Sequence, residues 1–129
     1  MLISVVIPVY NESDLIDDLY QAVMSAMTKF TADFEVICVN DGSKDDTLLK
    51  LQMCHQKDKR FKVLNLSRNF GHHSAYTAGL NYAKGDYVAM MDGDLQDPPD
   101  LIGAMYKCAV DNQSDVVYRR RTVRNVGFF

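Results

Sequence analysis

Two aspartates, Asp92 and Asp94, flank a single glycine, Gly93, after an apolar run. Because glycine lets the backbone approach other groups closely, both carboxylates can turn toward one point. Carboxylates held that near each other repel unless a cation lies between them. Oxygen ligands favour Mg²⁺ or Mn²⁺ over zinc, and Gln96 could add a third oxygen. Such an ion would bridge the protein to a diphosphate and neutralise charge on a departing group.

A capped turn is the alternative for the same segment, and the spacing alone leaves both interpretations open. Asp97 before Pro98 is a good helix N-cap, and Asp92 would then only brace the loop. An EF-hand loop that began at Asp92 would place Asp97 where glycine is required and Gly103 where glutamate is required. The sequence also has no GxGxxG, no P-loop and no serine elbow, so these nucleotide-binding and hydrolase motifs are excluded.

Two further acid-bearing turns follow apolar runs, and each has a functional and a purely structural interpretation. Glu12 could contact a nucleotide base or ribose, or it could be an ordinary acid in the first turn of a helix. Asp41 could accept hydrogen bonds from a base or ribose, or it could form a local Asx-turn with Gly42 and Ser43. Arg68 could contact a diphosphate or be an ordinary surface charge.

Two adjacent histidines, His72 and His73, follow Gly71 near a predicted helix start. Adjacent residues rarely present both rings to one ion, so metal binding by this pair is not expected. Local capping or packing is the favoured role.

The elements that must position these residues alternate between strand and helix patterns. Strands are predicted over residues 3–9, 35–39, 62–66 and 87–91, with a weaker fifth over 115–118. Helices are predicted after Ser13 as N-cap, from Asp45 or Asp46, over residues 74–83, and with Pro98 and Pro99 in the first turn of the fourth. Small residues in the third helix indicate that it lies close to the sheet.

This order predicts an α/β fold with an open, doubly wound, mostly parallel sheet and helices on both faces. Nearly continuous apolar strands are typical of a sheet that is covered on both sides. In such sheets, ligands bind beyond the carboxyl ends of the strands, where the strand order reverses. The turns that carry Glu12, Asp41 and Asp92 all follow strands. They are therefore expected at one edge of the sheet, where together they predict a site.

Composition and charge limit the classes of function. The net charge of −3 argues against nucleic-acid binding, because phosphate contacts need a surplus of Lys and Arg. The charge is uneven, since residues 118–129 carry four arginines and no acid, and −3 minus 4 leaves −7 for the first 117 residues. This basic segment could simply keep a chain end in contact with water, or it could face phosphate or an anionic membrane.

Three cysteines without paired spacing favour a reducing, cytoplasmic location. No apolar stretch reaches the ~18 residues that a membrane span needs, and the N-terminus has no signal-peptide pattern. We therefore expect a cytoplasmic chain, with a position at the inner face of a membrane left open for the full-length protein.

The combined motifs resemble those of family 2 glycosyltransferases with the Rossmann-like GT-A fold. The order and spacing of that family are matched, over nearly all 129 residues, by SVVIPVYNE, VNDGSKDDT, LNLSRNFGHHSAYTAGL, GDYVAMMDGDLQDPPDLI and DVVYRRR. Within the family, SRNFG followed by TAGL, and DxDLQDPP, are most similar to the polyprenyl-phosphate glycosyltransferases. These include the dolichyl-phosphate mannose synthases and the bactoprenol glucosyltransferases.

By this resemblance, Asp92 and Asp94 would be catalytic and, with Gln96, would hold a Mg²⁺ or Mn²⁺ ion. The residues that would contact the nucleotide part of the donor are Pro8, Val9, Tyr10, Glu12, Asp41, Arg68, Gly93 and Arg121. The chain departs from the family at YRRR, where a small residue usually follows Tyr118, so the register of Arg121 is open.

The resemblance implies an inverting transferase that moves a hexose from a UDP- or GDP-sugar to a polyprenyl phosphate in cell-envelope glycan synthesis. A polyprenyl phosphate is already an anion near neutral pH, so it needs no strong base. The alternatives are transfer to a sugar hydroxyl of a glycan, and sugar-nucleotide binding without turnover. Residues 1–117 would form the nucleotide-sugar-binding domain, and residues 118–129 would begin an acceptor-binding half. Family members continue well beyond this length, so a truncated chain of a metal-dependent hexosyltransferase is expected, with its transfer activity, membrane-surface association and oligomerisation left open.

Overall fold

The computed structural model of the chain describes residues 2–31, 33–94 and 98–112, in which strands and helices alternate. The strands are β1 (Ile3–Val9), β2 (Phe34–Asn40), β3 (Phe61–Asn65) and β4 (Tyr87–Met90), and the helices are α1 (Ile16–Phe30), α2 (Thr47–Lys57), α3 (His72–Tyr82) and α4 (Leu101–Asp111). Among the described helices, none combines the length and apolarity that crossing a membrane requires. The predicted strand at 115–118 and the basic segment 118–129 lie outside the described residues.

The four strands form one parallel sheet in the order β3-β2-β1-β4. β1 lies inside the sheet, where Ile3 is in register with Phe34 of β2 and with Tyr87 of β4. The chain therefore runs outward from β1 to β3 and then returns to the other side of β1. This places the reversal of strand order between β1 and β4 and confirms the predicted doubly wound α/β sheet.

Helices cover both faces of the sheet over β1 and β2, in which every residue is buried. At the edge strand β4 the predicted cover is incomplete, because Val88 and Met90 are exposed. On one face, α1, α2 and α4 contribute Leu19, Leu51 and Ile102 to a large apolar cluster. On the other face, α3 contributes Ala75 to a smaller cluster that includes Val6. Burial of each large apolar side chain stabilises the fold by about 1.5–3 kcal/mol. Two of the three predicted site turns therefore leave from the most completely buried strands.

α3 lies very close to the sheet, as its small residues predict. A methyl group built on Gly79 would be 2.3 Å from Cγ1 of Val6 and 3.1 Å from Cγ2 of Val39. Because protein interiors are close-packed, no side chain larger than hydrogen fits between α3 and the sheet here without a shift. The helix and the strands beneath it thus behave as one packed unit.

Helix starts differ from the predictions in three places. Ser13 is not an N-cap, because it begins a three-residue 3₁₀ turn that leads into α1 without a side-chain cap bond. α3 begins at His72 rather than at residue 74, since Gly71, with a positive φ of 101°, ends the loop directly before it. α4 begins three residues after Pro98, whose carbonyl accepts the N–H of Leu101.

Candidate functional site

A cavity of about 300 Å³ opens at the carboxyl edge of the sheet, beside the reversal of strand order between β1 and β4. Its described lining consists of Pro8, Val9, Tyr10, Glu12, Asp41, His72, Asp92, Gly93 and Asp94. All of these except His72 are candidate site residues from the sequence, and they come from the three turns expected at this edge. Arg68 is not in the lining, and Gln96 and Arg121 lie outside the described residues.

A larger cavity, of about 650 Å³, lies between α2 and the outer strand β3. Its described lining residues include the apolar side chains of Met53 and Val63, and none of them is a carboxylate. The smaller cavity holds the carboxylates and the switch point of the sheet, so it is the candidate functional site.

Gly93 brings the loop after β4 against the end of β1. A methyl group built on it would be 2.7 Å from Cγ1 of Val9 and 3.2 Å from the carbonyl oxygen of Pro8. Its φ is not positive, so close approach rather than backbone conformation requires glycine here. The same approach keeps Asp92 and Asp94 beside the turn that leaves β1.

Asp92 is held by two side chains of α3. Its Oδ1 accepts hydrogen bonds from the hydroxyl of Tyr76 and from Nε2 of His72, both at 2.9 Å. Because an ionised carboxylate can only accept, the imidazole hydrogen is assigned to Nε2. The two rings meet edge to face, with centroids 4.9 Å apart.

Neither of these α3 residues was a candidate from the sequence. His72 lies in the cavity against Asp92 rather than in a helix cap, and no side chain caps α3. The available signal was the spacing of His72 and Tyr76, which puts two hydrogen-bonding rings on one face of a helix next to the site. Without the position of Asp92, that spacing does not identify the group to which the two rings hydrogen-bond.

Hydrogen bonds join the loops after β1 and β2. Asn11, whose φ is +51°, donates its N–H to Oγ of Ser43 and accepts the N–H of Lys44 on Oδ1, both at 2.8 Å. The N–H of Glu12 donates to Oγ1 of Thr47 at 3.0 Å. Asparagine tolerates the left-handed backbone region better than most residues. The turn that positions Glu12 is therefore supported from the neighbouring loop.

Asp41 is buried, and its carboxylate bonds across to the loop after β3. Oδ1 accepts the N–H of Phe70 at 2.8 Å, and Oδ2 accepts the N–H of Gly71 at 3.2 Å. The alternative of a local Asx-turn at Asp41 is therefore wrong. The side chain of Asn40 supports this turn instead, because its Oδ1 accepts the N–H of Ser43 at 3.3 Å. Asp41 thus fixes the residues from which α3 begins.

The cavity concentrates negative charge. Partial burial, and then the carboxylates of Asp94 and Asp45, raise the pKa of Glu12 above its ordinary value of 4.5. No lysine or arginine is among the described lining residues. Carboxylates gathered in this way favour a bound cation.

The two carboxylates of Asp92 and Asp94 fit a cation whose remaining ligands are phosphate and water oxygens. Among the described residues, no group of three or more His, Cys, Asp or Glu side chains is arranged to hold a metal. Mg²⁺ commonly takes one or two protein carboxylates and completes its shell with phosphate and water oxygens. Asp92 and Asp94 meet that requirement, whereas a zinc site made only of protein ligands would need more.

Arg68 lies outside the cavity lining, on the exposed loop after β3. Its guanidinium is 4.3 Å from the centroid of the Phe70 ring. The loop packs so tightly on the turn after β2 that a methyl group on Gly42 would be 2.2 Å from the backbone nitrogen of Asn69. A contact between Arg68 and a diphosphate stays a prediction.

Comparison with known sequences gives a family model and named relatives. Residues 4–129 match the model described as glycosyl transferase family 2. An uncharacterized glycosyltransferase of Synechocystis sp. is 44% identical over 122 residues, which are 95% of this chain and 38% of that protein. The undecaprenyl-phosphate 4-deoxy-4-formamido-L-arabinose transferase of Photorhabdus laumondii is 38% identical over 128 residues, which are 98% of this chain and 39% of that protein. The chain therefore spans about two fifths of the length of these relatives.

Solved structures share the fold. S. aureus TarS 1–349 in complex with UDP-GlcNAc has a TM-score of 0.70 and 25% identity, over 98% of this chain and 36% of that chain. The mannosyltransferase PcManGT of Pyrobaculum calidifontis, in complex with GDP-Man and Mn²⁺, has a TM-score of 0.67 and 22% identity, over 84% of this chain and 32% of that chain. These likenesses confirm the predicted GT-A, Rossmann-like fold.

Proposed function

Because this chain belongs to glycosyltransferase family 2, we propose that its carboxyl-edge cavity binds the nucleotide-sugar donor of a hexosyl transfer. One observation carries the proposal: eight candidate residues, from three segments far apart in the sequence, line that single cavity. A cavity with this lining, at the switch point of a parallel sheet, suits a phosphorylated ligand accompanied by a cation.

The nucleoside would lie toward β1 and β2. Asp41 suits a contact to the base, because two backbone N–H groups already orient its carboxylate and its oxygens retain acceptor capacity. Tyr10 is 41% exposed and offers an aromatic face at the same edge. Glu12 would accept from the ribose, and Arg68 and Arg121 are proposed contacts to the donor phosphates.

The diphosphate would lie toward the turn after β4. Asp92 and Asp94 would hold Mg²⁺ or Mn²⁺ there, with Gln96 as a proposed third ligand. When bound, this ion would neutralise charge on the departing nucleotide diphosphate. Gly93 lets the loop lie against Val9, which keeps the two carboxylates near the phosphate path.

The proposed reaction is an inverting displacement. An acceptor oxygen forms a bond to the anomeric carbon as the bond to the nucleotide diphosphate breaks, and the diphosphate leaves with the electron pair. A polyprenyl phosphate is the proposed acceptor, because a phosphate oxygen is already ionised and needs no strong base. The name and 38% identity of the Photorhabdus relative support this acceptor. Residues 1–117 would then bind the donor, and the basic segment 118–129 would begin the acceptor site at a membrane surface.

Calorimetry with UDP and GDP, each with and without Mn²⁺, tests the donor site. We expect one nucleotide to bind more tightly with the ion, and Asp92→Ala to remove that increase. Asp111→Ala removes the same charge from the exposed end of α4 and is the matched control. Nucleotide affinity that does not respond to Mn²⁺ in the parent chain would overturn the proposal.

Incubation with a labelled UDP- or GDP-hexose and undecaprenyl phosphate tests transfer. The matched acceptor is undecaprenol, which has the same chain without the phosphate and should receive no label. Arg121→Ala and Arg124→Ala should slow transfer, and unchanged rates would exclude the basic segment from the acceptor site. Nucleotide binding without transfer would identify the chain as a sugar-nucleotide-binding unit.

A further inference from the structure

The hydrogen bonds to Asp92 are one-sided. Both donors, Tyr76 and His72, bond to Oδ1, and within the described part of the chain no hydrogen bond is made to Oδ2. A carboxylate held through one oxygen presents the other in a set direction. The side chain of Asp92 is 42% exposed, so that second oxygen has room to meet a ligand.

The two donors belong to a helix that is itself held at two points. Its start is fixed by the N–H of Gly71, which donates to buried Asp41, and its body by Gly79, which lies against Val6. Edge-to-face contact between the rings of His72 and Tyr76 restricts both side chains further. The donors therefore occupy defined positions before any ligand arrives.

From this geometry we infer that His72 and Tyr76 are positioning residues, which hold Oδ1 of Asp92 so that Oδ2 binds the cation of the donor. This inference rests on the proposed function of the same cavity. Groups that hydrogen-bond to metal ligands orient them, and their loss typically lowers metal affinity about 10- to 100-fold. Both residues act through Asp92.

The test measures the affinity for Mn²⁺ by electron paramagnetic resonance, at saturating UDP or GDP, and separately the nucleotide affinity in EDTA. His72→Ala and Tyr76→Phe should each weaken Mn²⁺ binding about tenfold. The double variant should lose less than the product of the two effects, since both donors serve one oxygen. Nucleotide affinity in EDTA should not change in any of them.

Two further variants separate positioning from a general effect on α3. His72→Gln retains an N–H donor and should recover part of the Mn²⁺ affinity. His73→Ala changes the adjacent exposed histidine, which does not line the cavity, and should bind Mn²⁺ as the parent does.

Each contrary outcome has its own meaning. If Asp92→Ala abolishes Mn²⁺ binding while His72→Ala, Tyr76→Phe and the double variant retain the parent affinity, the positioning role is overturned and the donor site stands. If the variants lose nucleotide affinity in EDTA by the same factor, the role is structural and the inference is also overturned. If Asp92→Ala itself leaves Mn²⁺ binding unchanged, the proposed metal site fails and the inference fails with it.

Discussion

Replacement of Gly79 by alanine tests how closely α3 must lie on the sheet. The added methyl would be 2.3 Å from Cγ1 of Val6, which is 1.1 Å short of the 3.4 Å at which ordinary contacts begin. Val6 is fully buried and β-branched, so it cannot easily turn aside. Overpacking costs about 1–3 kcal/mol, and alanine in a helix regains about 1 kcal/mol relative to glycine. We expect a net loss in the free energy of unfolding of about 1 kcal/mol, and at most about 2 kcal/mol.

Urea unfolding measures this loss, and a double-mutant cycle identifies its cause. Gly103→Ala is the matched helix-glycine control, because the atoms nearest to its methyl would belong to the ring of Phe30, the first at 3.1 Å. Val6→Ala alone should cost about 2 kcal/mol. In the double variant the new methyl fills part of the space that Val6 vacates, so the two losses should fall short of additivity by about 1–2 kcal/mol. Strict additivity, or a Gly79→Ala variant as stable as Gly103→Ala, would refute the reasoning.

The same variant should also weaken ion binding. A helix displaced by about 1 Å would stretch the 2.9 Å bonds from His72 and Tyr76 to Asp92 beyond hydrogen-bonding range. Mn²⁺ affinity in the presence of nucleotide should therefore fall in Gly79→Ala and return toward the parent value in the double variant. Unchanged Mn²⁺ affinity in a destabilised Gly79→Ala variant would show that the helix adapts without moving its first turns.

Three further expectations follow from buried or strained positions. Gly42→Ala should lower stability by more than about 2 kcal/mol in thermal unfolding, since φ is +72° and backbone atoms block the methyl; an unchanged Tm would contradict this. Burial raises the pKa of Glu35, but hydrogen bonds, led by that from Lys62, outweigh burial and lower it below 4.5. The stabilisation from Glu35 is therefore present above about pH 4.5 and lost as the pH falls below it, so Glu35→Gln should flatten the acid limb of a urea–pH titration. Burial raises the pKa of the Cys38 thiol whereas Cys108 is exposed, so one thiol of three should react rapidly with iodoacetamide in the native chain and all three in urea.

The sheet and the cavity could be predicted because their signals are local in the sequence. The apolar run over residues 3–9 matches β1 at both ends, and Glu12, Asp41 and Asp92 each follow closely on a strand. Once the strands are parallel, geometry brings these turns to one edge. Small residues in α3 predicted its close approach for an equally local reason, since side-chain size sets the distance between helix and sheet.

The side-chain contacts that could not be predicted join segments that are distant in the sequence. His72 and Asp92 are 20 residues apart, and the partners Asp41 and Phe70 are 29 apart. No periodicity encodes either pair, so the sequence alone favours a capping or packing role for His72 and leaves Asp41 open between a nucleotide contact and a local Asx-turn. Ser13 has the right residue type for an N-cap, but it lies inside a 3₁₀ turn. The N–H groups that a capping side chain would bond to are partly satisfied by the backbone of that turn.

Hydrogen bonds connect Asp41 to the start of α3 and α3 to Asp92, so the proposed base contact and the proposed ion site would depend on each other. A base that draws on the Asp41 carboxylate would act on Gly71, and through His72 on Asp92. Coupling of this kind is reciprocal, so an ion that tightens nucleotide binding must itself be tightened by the nucleotide to the same degree. A weaker nucleotide affinity of the Asp41→Asn variant would therefore have two causes, the loss of a base contact and weaker binding of the ion. If the proposed donor site is correct, α3 would connect the contacts to the base with the contacts to the phosphates, so the donor would be recognised as a single unit.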